Sequence, residues 1–433
     1  MTTRHRSVPV LSATGDYRAD SAALTSYVAA GEERLAELPR KPERDPGRAE
    51  EAAAVREAGQ AARAAFLHVH AERLYDDLTD GRRAHPSLAD LAHAAADAHP
   101  GLVPDRAQLR GERALRQADK EGREIEQGLL FWSFLRLPDV GTHLVRSLLR
   151  PTRAAEAALP GYLRTGRADL GQVHVERDGP AALVTVRNLP YLNAEDDGTV
   201  AALETAVDLV ALDDRVRVGV LRGGEMTHPR HAGRRVFNAG VNLSHLYDGR
   251  ISLVDFMLRR ELGYLSKILR GDKPWLALVD GFAIGGGLQQ LLVFDEVIAA
   301  SGGFVSLPAL TEGIIPGAAN LRLPRFAGSR LTRRLILGDL RIGTDEPEAR
   351  LFCDHVVKPD EMERTAEASV ERLAGSAVVA NRRITHEFEE PLDTFRRYMA
   401  EYALQQARLL HHPDLVTNLE RSWIRRAKRP TPA

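Results

Sequence analysis

The chain has 433 residues, with 59 Lys and Arg against 60 Asp and Glu, so its formal net charge is −1. This balance excludes a surface that binds nucleic acid or anionic membrane through overall charge. A single cysteine, Cys353, excludes an internal disulfide framework and a structural zinc site built on several thiolates. Because single hydrophobic cores stop growing beyond roughly 250 residues, the length predicts two or three domains.

The first 20 residues carry charged and polar side chains where a signal peptide needs an apolar stretch. The most apolar runs, at 128–138 and 291–300, are shorter than the roughly 20 residues that a membrane span requires. We therefore expect a soluble, cytoplasmic protein that binds neither membrane nor nucleic acid.

The N-terminal third of the chain is predicted to be helical. From about 20 to 165 the sequence is rich in Ala, Leu, Arg and Glu, and its apolar residues recur at helical spacing. Near 171 the pattern changes to two β-branched runs on either side of Asp178-Gly179, which indicates a β-hairpin. A helical domain over 1–170 is therefore expected, with a new domain from 171.

Strand-like and helical segments alternate in the next part of the chain, which indicates an α/β layered core over 171–358. The strand-like runs after the hairpin lie at 216–221, 275–280, 296–300 and 355–357. The remainder, 359–433, is expected to be a C-terminal helical region that packs on the core or on a partner subunit. Its helices are predicted at roughly 359–374, 376–388 and 392–411.

Two glycine-bearing stretches, FNAGVNLSHL at 237–246 and VDGFAIGGGLQQLLVFD at 279–295, each follow a strand-like run and precede a helix. Glycines let a ligand approach the backbone, and free N–H groups around Gly286 at a helix start favour developing negative charge. Taken alone, the glycine triplet also fits a tight turn where a strand packs on a helix. The dinucleotide-binding spacing GxGxxG is absent.

These stretches occur in order with RNLPYLNAE at 187–195, FDEVIAAS at 294–301 and LTEGIIPGAANLRLPRFAG at 310–328. Together they resemble the crotonase (enoyl-CoA hydratase/isomerase) superfamily. The resemblance implies an α/β fold with the ββα spiral core of crotonases, preceded here by an all-helical domain and followed by C-terminal helices. It also implies that the backbone N–H groups of Val241 and Gly286 hold the oxygen of an acyl-CoA thioester.

The sequence departs from the hydratases of this superfamily at two positions. Those enzymes carry glutamates where this chain has Gln289 and Ala309. Neither residue can act as a general acid or base, because Gln does not titrate in the physiological range and Ala has no ionisable group. The sequence therefore predicts that the protein does not add water to enoyl-CoA substrates.

The segments 131–152, 228–247 and 252–265 are similar to a branch of the superfamily that oxidises arylacetyl-CoA without a cofactor. This resemblance implies an antibiotic-biosynthesis dioxygenase that converts (3,5-dihydroxyphenyl)acetyl-CoA and O₂, through an enolate, into (3,5-dihydroxyphenyl)glyoxylate and CoA. No metal or flavin is expected, and CoA enters as part of the substrate. The link from Arg270 to Trp275 is shorter than the resemblance leads us to expect, which would alter substrate entry.

The resemblance places Glu195, Arg260 and Gln289 at the ring hydroxyls and the thioester region. The base stays unassigned, and Glu195 is the candidate because it is the only acid of this set. From residue context alone, Glu195 also fits a solvated helix-start residue, and Arg260 a surface ion pair. The apolar pocket that would admit dioxygen and exclude water is expected to consist of Val241, Leu243 and Ile314.

Contacts with CoA are expected along the segment before the first glycine stretch and around the stretch itself. The predicted residues are Leu189, His228, Pro229, Arg230, His231, Ala239, Gly240 and Asn242. A metal site on the two histidines is disfavoured, since the intervening proline opposes a helix and no carboxylate lies nearby in sequence.

Other chemistries find little support in the sequence. The His-x-acid pair considered for iron, His70 and Glu72, lies in a helical context where the two side chains point to different faces, and Cys353 has no flanking signature of activation. A crotonase-type thioester hydrolase or decarboxylase and a non-catalytic acyl-CoA-binding protein remain open alternatives. Crotonases usually assemble as trimers or dimers of trimers, so a homo-oligomer is expected.

Overall fold

A computed structural model of the chain describes residues 13–227 and 229–421. Its N-terminal part is helical, and most of its helices begin at an Asp, Ser or Thr whose side chain accepts a hydrogen bond from the first turn. The helices are α1 (Tyr17–Ala36), α2 (Pro46–Leu78), α3 (Leu88–Ala98), α4 (Arg106–Arg113), α5 (Glu124–Arg136), α6 (Pro138–Leu148) and α7 (Arg153–Thr165).

Two β-sheets follow the N-terminal helices. Their strands are β1 (Arg167–Asp169), β2 (Val173–Asp178), β3 (Ala181–Val186), β4 (Val218–Gly223), β5 (Trp275–Val279), β6 (Phe282–Ile284), β7 (Glu296–Ala300), β8 (Phe304–Ser306), β9 (Arg341–Gly343) and β10 (His355–Val357). The larger sheet that the described residues form has the order β1-β2-β3-β4-β5-β7-β10, and the smaller has the order β6-β8-β9.

The larger sheet is antiparallel from β1 to β3 and parallel from β3 to β10. Every residue of β4, β5 and β7 is buried, as expected for central parallel strands that are covered on both faces. The hairpin predicted around Asp178-Gly179 is present, with Asp178 paired to Ala181. The sheet itself begins at Arg167, ahead of the change of pattern near 171.

The helices of the central region cover the sheets and carry the residues of the site. They are α8 (Asp197–Leu212), α9 (Leu243–Tyr247), α10 (Ser266–Arg270), α11 (Gly286–Leu291), α12 (Ala309–Glu312) and α13 (Ala319–Gly338). Between α9 and α10 the chain forms two π-helical stretches, Leu253–Leu258 and Glu261–Leu265, with Arg259 and Arg260 between them. Short 3₁₀ turns lie at Lys41–Glu43, Gln117–Asp119, Leu189–Tyr191, Pro347–Leu351 and Pro359–Glu361.

The C-terminal helices lie close to the predicted bounds. They are α14 (Met362–Leu373), α15 (Ser376–Glu389), α16 (Leu392–Leu410) and α17 (Pro413–Leu419). Helix α14 covers β5 and β7, whereas α16 packs against α5 and α6 of the N-terminal region. The two ends of the chain therefore share one packing interface.

Helices α5 and α16 approach each other closely at Gly128. A Cβ atom on Gly128 would lie 2.7 Å from the Cβ atom of Ala407 and 2.9 Å from the carbonyl oxygen of Ala403. No side chain fits at that distance, so the contact requires glycine. The N-terminal helices also hold the π-helical segment, because the Glu124 carboxylate accepts the backbone N–H of Leu253 at 2.7 Å.

Over the described residues, no helix combines the length and the apolar character that a membrane crossing requires.

Candidate active site

The two glycine stretches meet at the edge of the smaller sheet. The segment after β4 pairs with β6, where the Ile284 N–H donates to the Asn238 carbonyl at 3.0 Å. A Cβ atom on Gly240, which has a φ of +89°, would lie 3.1 Å from the Ile284 carbonyl oxygen and 3.5 Å from the Gly286 nitrogen. This close approach requires glycine at position 240.

Val241 and Gly286 are therefore neighbours across the two loops, which the role predicted for their N–H groups requires. The chain around Val241 is held by Glu195, whose N–H donates to the Gly240 carbonyl at 2.7 Å and whose carbonyl accepts the Asn242 N–H at 2.8 Å. Within the described chain, neither the Val241 N–H nor the Gly286 N–H donates to a protein acceptor. Both residues line the same cavity, so two unused donors are available to a ligand there.

The cavity has a largely apolar wall. It opens between the glycine loops, the π-helical segment, α12 and α16. Its apolar side chains are Val241, Phe256, Met257, Leu307, Ala309, Ile314, Ile315, Pro316 and Tyr402. Two of the three residues predicted for the oxygen pocket, Val241 and Ile314, thus lie in one wall.

Leu243, the third residue predicted for that pocket, is not among the residues that line the cavity. It begins α9 and packs against the main hydrophobic core instead. Position 243 is the first residue of the one-turn helix α9, and a helix this short has no clear signal in the sequence.

Glu195, Arg260 and Gln289 form one buried network at the end of the cavity. The Arg260 guanidinium donates to the Glu195 carboxylate, to the Gln289 side-chain oxygen (both at 2.9 Å) and to the Gly286 carbonyl at 2.7 Å. Glu195 is 0% and Arg260 4% exposed, so neither is the surface residue that its sequence context also allowed. Burial alone would lower the pKa of Arg260, but the carboxylates of Glu195 and Glu261 raise it above its ordinary value.

Two residues of this network, Tyr264 and Gln290, were not predicted. The Tyr264 hydroxyl donates to Glu195, and the Gln290 amide donates to Glu195 at 3.2 Å and to the Tyr264 oxygen at 3.0 Å. Burial, together with the Glu195 charge, raises the pKa of Tyr264 well above its ordinary value. Helical spacing from Arg260 to Tyr264 was the available signal, but the π-helical turns alter which side chains face the cavity.

A second layer of charges supports Arg260. Its guanidinium also donates to Glu261 at 2.9 Å, and the other oxygen of Glu261 accepts from Arg322 at 3.3 Å. Arg322 is held in turn by Glu390, at 2.8 Å. Because Glu390 precedes α16, this chain of ion pairs ties the cavity to the C-terminal helices.

Glu312, at the end of α12, is a third carboxylate in the cavity wall and was also missed. It is 9% exposed, and one carboxylate oxygen lies 4.0 Å from the position of a Cβ atom on Gly285. Burial raises the pKa of Glu312 to about 8, with a further contribution from the charge of Asp339. The sequence contained the residue in the segment LTEGIIPG, but it occupies neither glutamate position of the hydratase pattern.

Of the described residues predicted to contact CoA, none lines the cavity. Leu189 and Ala239 are half-buried and pack with Met226, Val236 and Phe282 in one apolar cluster. Pro229 and Arg230 are exposed in the loop between Met226 and Val236. The ring centroids of His231 and Phe282 lie 5.8 Å apart. His228 lies outside the described residues.

Asn242, also predicted to contact CoA, begins α9. Its side-chain oxygen accepts the His245 N–H at 3.2 Å, whereas its amide nitrogen is buried without a hydrogen-bond partner. The oxygen therefore stabilises the short helix that follows Val241, and the amide donor is left for a further acceptor.

The short link from Arg270 to Trp275 is held on several sides. The Lys273 ammonium donates to the carbonyls of Val210 and Asp213, at 2.8 and 2.7 Å. Arg382 donates to the Gly271 carbonyl. The link therefore packs against α8 and α15.

The residues considered for other chemistries have structural contacts. His70 contacts the Asp20 carboxylate at 2.7 Å, and Glu72 pairs with Arg82. Cys353 is buried, which raises the pKa of its thiol to about 12. Across residues 13–227 and 229–421, no group of three or more His, Cys, Asp or Glu side chains could hold a metal ion.

Comparison with known proteins assigns the family. The sequence profile described as Enoyl-CoA hydratase/isomerase matches residues 177–425. A (3,5-dihydroxyphenyl)acetyl-CoA 1,2-dioxygenase from Amycolatopsis orientalis is 52% identical over 409 residues, which cover 92% of this chain and 94% of that protein. The chain belongs to the enoyl-CoA hydratase/isomerase family. This result confirms the superfamily predicted from the sequence.

Other members of the enoyl-CoA hydratase/isomerase family match a smaller share of the chain. A carnitinyl-CoA dehydratase from Salmonella typhi is 27% identical over 249 residues, which cover 56% of this chain and 90% of that protein. Solved enoyl-CoA hydratases from Mycobacterium avium subsp. paratuberculosis K-10 and Bacillus halodurans align with TM-scores of 0.51 and 0.50, at 22% and 20% identity. Each alignment covers 58% of this chain, against 99% and 100% of the solved chains, and supports the predicted crotonase fold.

Proposed function

We propose that the protein is a dioxygenase that converts (3,5-dihydroxyphenyl)acetyl-CoA and O₂ into (3,5-dihydroxyphenyl)glyoxylate and CoA. The observation that carries this proposal is the 52% identity to the Amycolatopsis orientalis dioxygenase over 92% of the chain. The carnitinyl-CoA dehydratase from Salmonella typhi, a family member with another activity, matches only 56% of the chain. The absence of hydratase glutamates at Gln289 and Ala309 supports the same conclusion.

In this proposal the Val241 and Gly286 N–H groups bind the thioester oxygen. Loss of the α-proton places negative charge on that oxygen, and two fixed donors stabilise it. Removing one such donor typically costs about 2.7–4 kcal/mol of transition-state stabilisation. The unused state of both donors in the cavity wall supports this role.

The arylacetyl group would lie in the cavity with its ring against the Arg260 network. Arg260 and Gln289 present polar atoms that suit ring hydroxyls, and Glu195 holds Arg260 in place at 2.9 Å. The apolar wall, with Val241 and Ile314, would let dioxygen reach the α-carbon and keep water out. The acyl-CoA would enter past Leu189, Ala239 and the loop with Arg230.

The resulting enolate is electron-rich enough to reduce dioxygen directly. The peroxide that forms on the α-carbon attacks the thioester carbonyl, and CoA leaves as the thiolate. In this scheme no metal or flavin takes part. We also propose that the protein lies in the cytoplasm. We further propose that it is a homo-oligomer, and the exposed apolar side chains Ile384 and Phe388 on α15 support this assembly.

Oxygen consumption with (3,5-dihydroxyphenyl)acetyl-CoA tests the function. We expect chelator-treated protein to consume one O₂ for each CoA released and to form the arylglyoxylate. Equal release of CoA under strict anaerobiosis would contradict the proposal and support a thioester hydrolase. CoA binding without turnover of any arylacetyl-CoA would instead support a non-catalytic acyl-CoA-binding protein.

A further inference from the structure

Three carboxylates line the cavity, and two of them are already engaged. The oxygens of Glu195 accept from Arg260 at 2.9 Å, from Gln290 at 3.2 Å and from the Tyr264 hydroxyl. The oxygens of Glu261 accept from Arg260 at 2.9 Å and from Arg322 at 3.3 Å. Hydrogen-bond donors therefore occupy both oxygens of each of these two carboxylates.

Glu195 therefore does not fit the role of base that the sequence suggested for it. It is 0% exposed, and its partners occupy both of its oxygens. Taking up a proton would remove one of the two carboxylate charges that balance the Arg260 guanidinium in a buried site. The geometry fits Glu195 as the residue that fixes Arg260.

Glu312 has none of these partners. Its carboxylate makes no hydrogen bond or ion pair with any residue in the described part of the chain, although its backbone is fixed by a hydrogen bond to the Pro308 carbonyl at 3.0 Å. The carboxylate lies in the cavity wall, beside Gly285 and therefore one residue from the Gly286 N–H. It is the one acid of the three that is free to accept a proton.

The charges around Glu312 keep its proton affinity high. Asp339, which follows α13, adds a second negative charge, while the positive charge of Arg260 across the cavity is shared with Glu195 and Glu261. From α16, Tyr402 contributes an aromatic ring with a hydroxyl group to the wall. Burial and the Asp339 charge raise the pKa of Glu312 to about 8, close to the working pH of a general base.

We propose that Glu312 is the general base that removes the α-proton of the arylacetyl-CoA substrate. This inference rests on the proposed function. In the first step the C–H bond breaks, the proton passes to the Glu312 carboxylate, and the electron pair forms the enolate whose oxygen is bound by the Val241 and Gly286 N–H groups.

The overall reaction requires the loss of both α-hydrogens. The enolate carbon bonds to O₂, the peroxide displaces the CoA thiolate from the thioester carbonyl, and a four-membered peroxylactone remains. Removal of its α-proton as the O–O bond breaks gives the ketone and the carboxylate. One proton is taken up by the CoA thiolate and the other passes to solvent, so two electron pairs reduce one O₂ without another reductant.

The test separates proton removal from oxidation. Exchange of the α-protons of (3,5-dihydroxyphenyl)acetyl-CoA in D₂O without oxygen is followed by NMR, and O₂ uptake is measured in air. The variants are Glu312→Gln, which keeps the size of the side chain, and Glu312→Asp, which withdraws the carboxylate. Glu348→Gln, at an exposed site, is the matched control.

We expect Glu312→Gln to lower the rate by at least about 100-fold in whichever reaction the unmodified protein performs, since general bases contribute about 10²–10⁴-fold. The rate of Glu312→Asp should lie between those of Glu312→Gln and the unmodified protein, and the rate of Glu348→Gln should equal that of the unmodified protein. The rate should also rise with pH through about 8, because the base acts in its ionised form. A Glu312→Gln rate within threefold of the unmodified rate would overturn the inference.

The same measurements distinguish this inference from the proposed function. If the unmodified protein exchanges the α-protons but consumes no O₂, and Glu312→Gln loses the exchange, the result supports Glu312 as the base and contradicts the dioxygenase function. O₂ uptake that survives in Glu312→Gln supports the dioxygenase and contradicts the base, and neither reaction in the unmodified protein contradicts both. Should Glu312→Gln fail to fold by circular dichroism, a rate in the unmodified protein that is independent of pH from 6 to 9 contradicts the base.

Discussion

Glu312 also has a thermodynamic signature, because a buried carboxylate without a counter-charge destabilises the folded state once it ionises. Its pKa is about 8 in the folded chain against 4.5 ordinarily. Below a pH of about 4.5 the carboxyl group is neutral in both states, so its burial causes no pH-dependent loss of stability. The loss of folding free energy grows as the pH rises and is complete above about pH 8. One pKa unit corresponds to about 1.4 kcal/mol.

We therefore predict that Glu312→Gln raises the free energy of unfolding above that of the unmodified chain. This increase should be larger at pH 9 than at pH 5, by more than about 1 kcal/mol. Urea denaturation at the two pH values measures the difference. Glu348→Gln, on the surface, should show no such change with pH. A Glu312→Gln effect that is equal at both pH values would show that the carboxylate is already paired or solvated.

At the scale of single residues the sequence predicted which positions lie around one cavity, but not which hydrogen-bond partners their side chains have. Val241, Gly286, Glu195, Arg260 and Gln289 all line one cavity. Their pattern was readable because the glycine stretches are local and occur in a specific order. Hydrogen-bond partners come from distant parts of the chain, so the saturation of Glu195 and the freedom of Glu312 became visible only in three dimensions.

Among the secondary-structure elements, the contact between α5 and α16 depends on one glycine. We predict that Gly128→Val destabilises the protein by more than about 2 kcal/mol, because the added side chain meets Ala407 and the Ala403 carbonyl. Chemical denaturation followed by circular dichroism measures this.

Gly111→Ala is the matched control for that substitution. Gly111 is exposed on α4, and a Cβ atom there would meet no atom within 4 Å. This change should stabilise the chain by about 0.5–1 kcal/mol through helix propensity. Equal effects of the two substitutions would contradict close packing at Gly128.

Elements with a strong local signal were predicted well. The hairpin at Asp178-Gly179, the strands β5, β7 and β10 and the three long C-terminal helices all lie near their expected bounds. The smaller sheet was not predicted, because β6, β8 and β9 have three residues each and are held by distant partners. The π-helical turns before α10 were missed for the same reason: their extra residues are set by tertiary packing and not by apolar periodicity.

For the whole molecule, α15 presents an exposed apolar face. Ile384 is 63% and Phe388 81% exposed, and the two lie one turn apart on the same face of the helix. A trimer or dimer of trimers of the 47.6 kDa chain would bury such a face. We predict that Ile384→Ser with Phe388→Ser lowers the mass measured by light scattering.

Val69→Ser, on α2, supplies the control for the oligomer. Val69 is 49% exposed but lies in the N-terminal helical region. Its substitution should leave the mass unchanged. A monomer in the unmodified protein would contradict the expected assembly, and an unchanged oligomer in the double variant would exclude α15 from the interface.

The packing of α16 on α5 has a consequence for the order in which the protein becomes active during synthesis. The cavity gains Tyr402 from α16, and the ion pairs behind Arg260 end at Glu390, just before that helix. The ribosome releases α5 long before either residue is made, so the apolar side of α5 stays unpaired until α16 is synthesised. A nascent chain that stops short of α16 therefore has its glycine loops but no closed site, and activity should appear only when the last helices are complete.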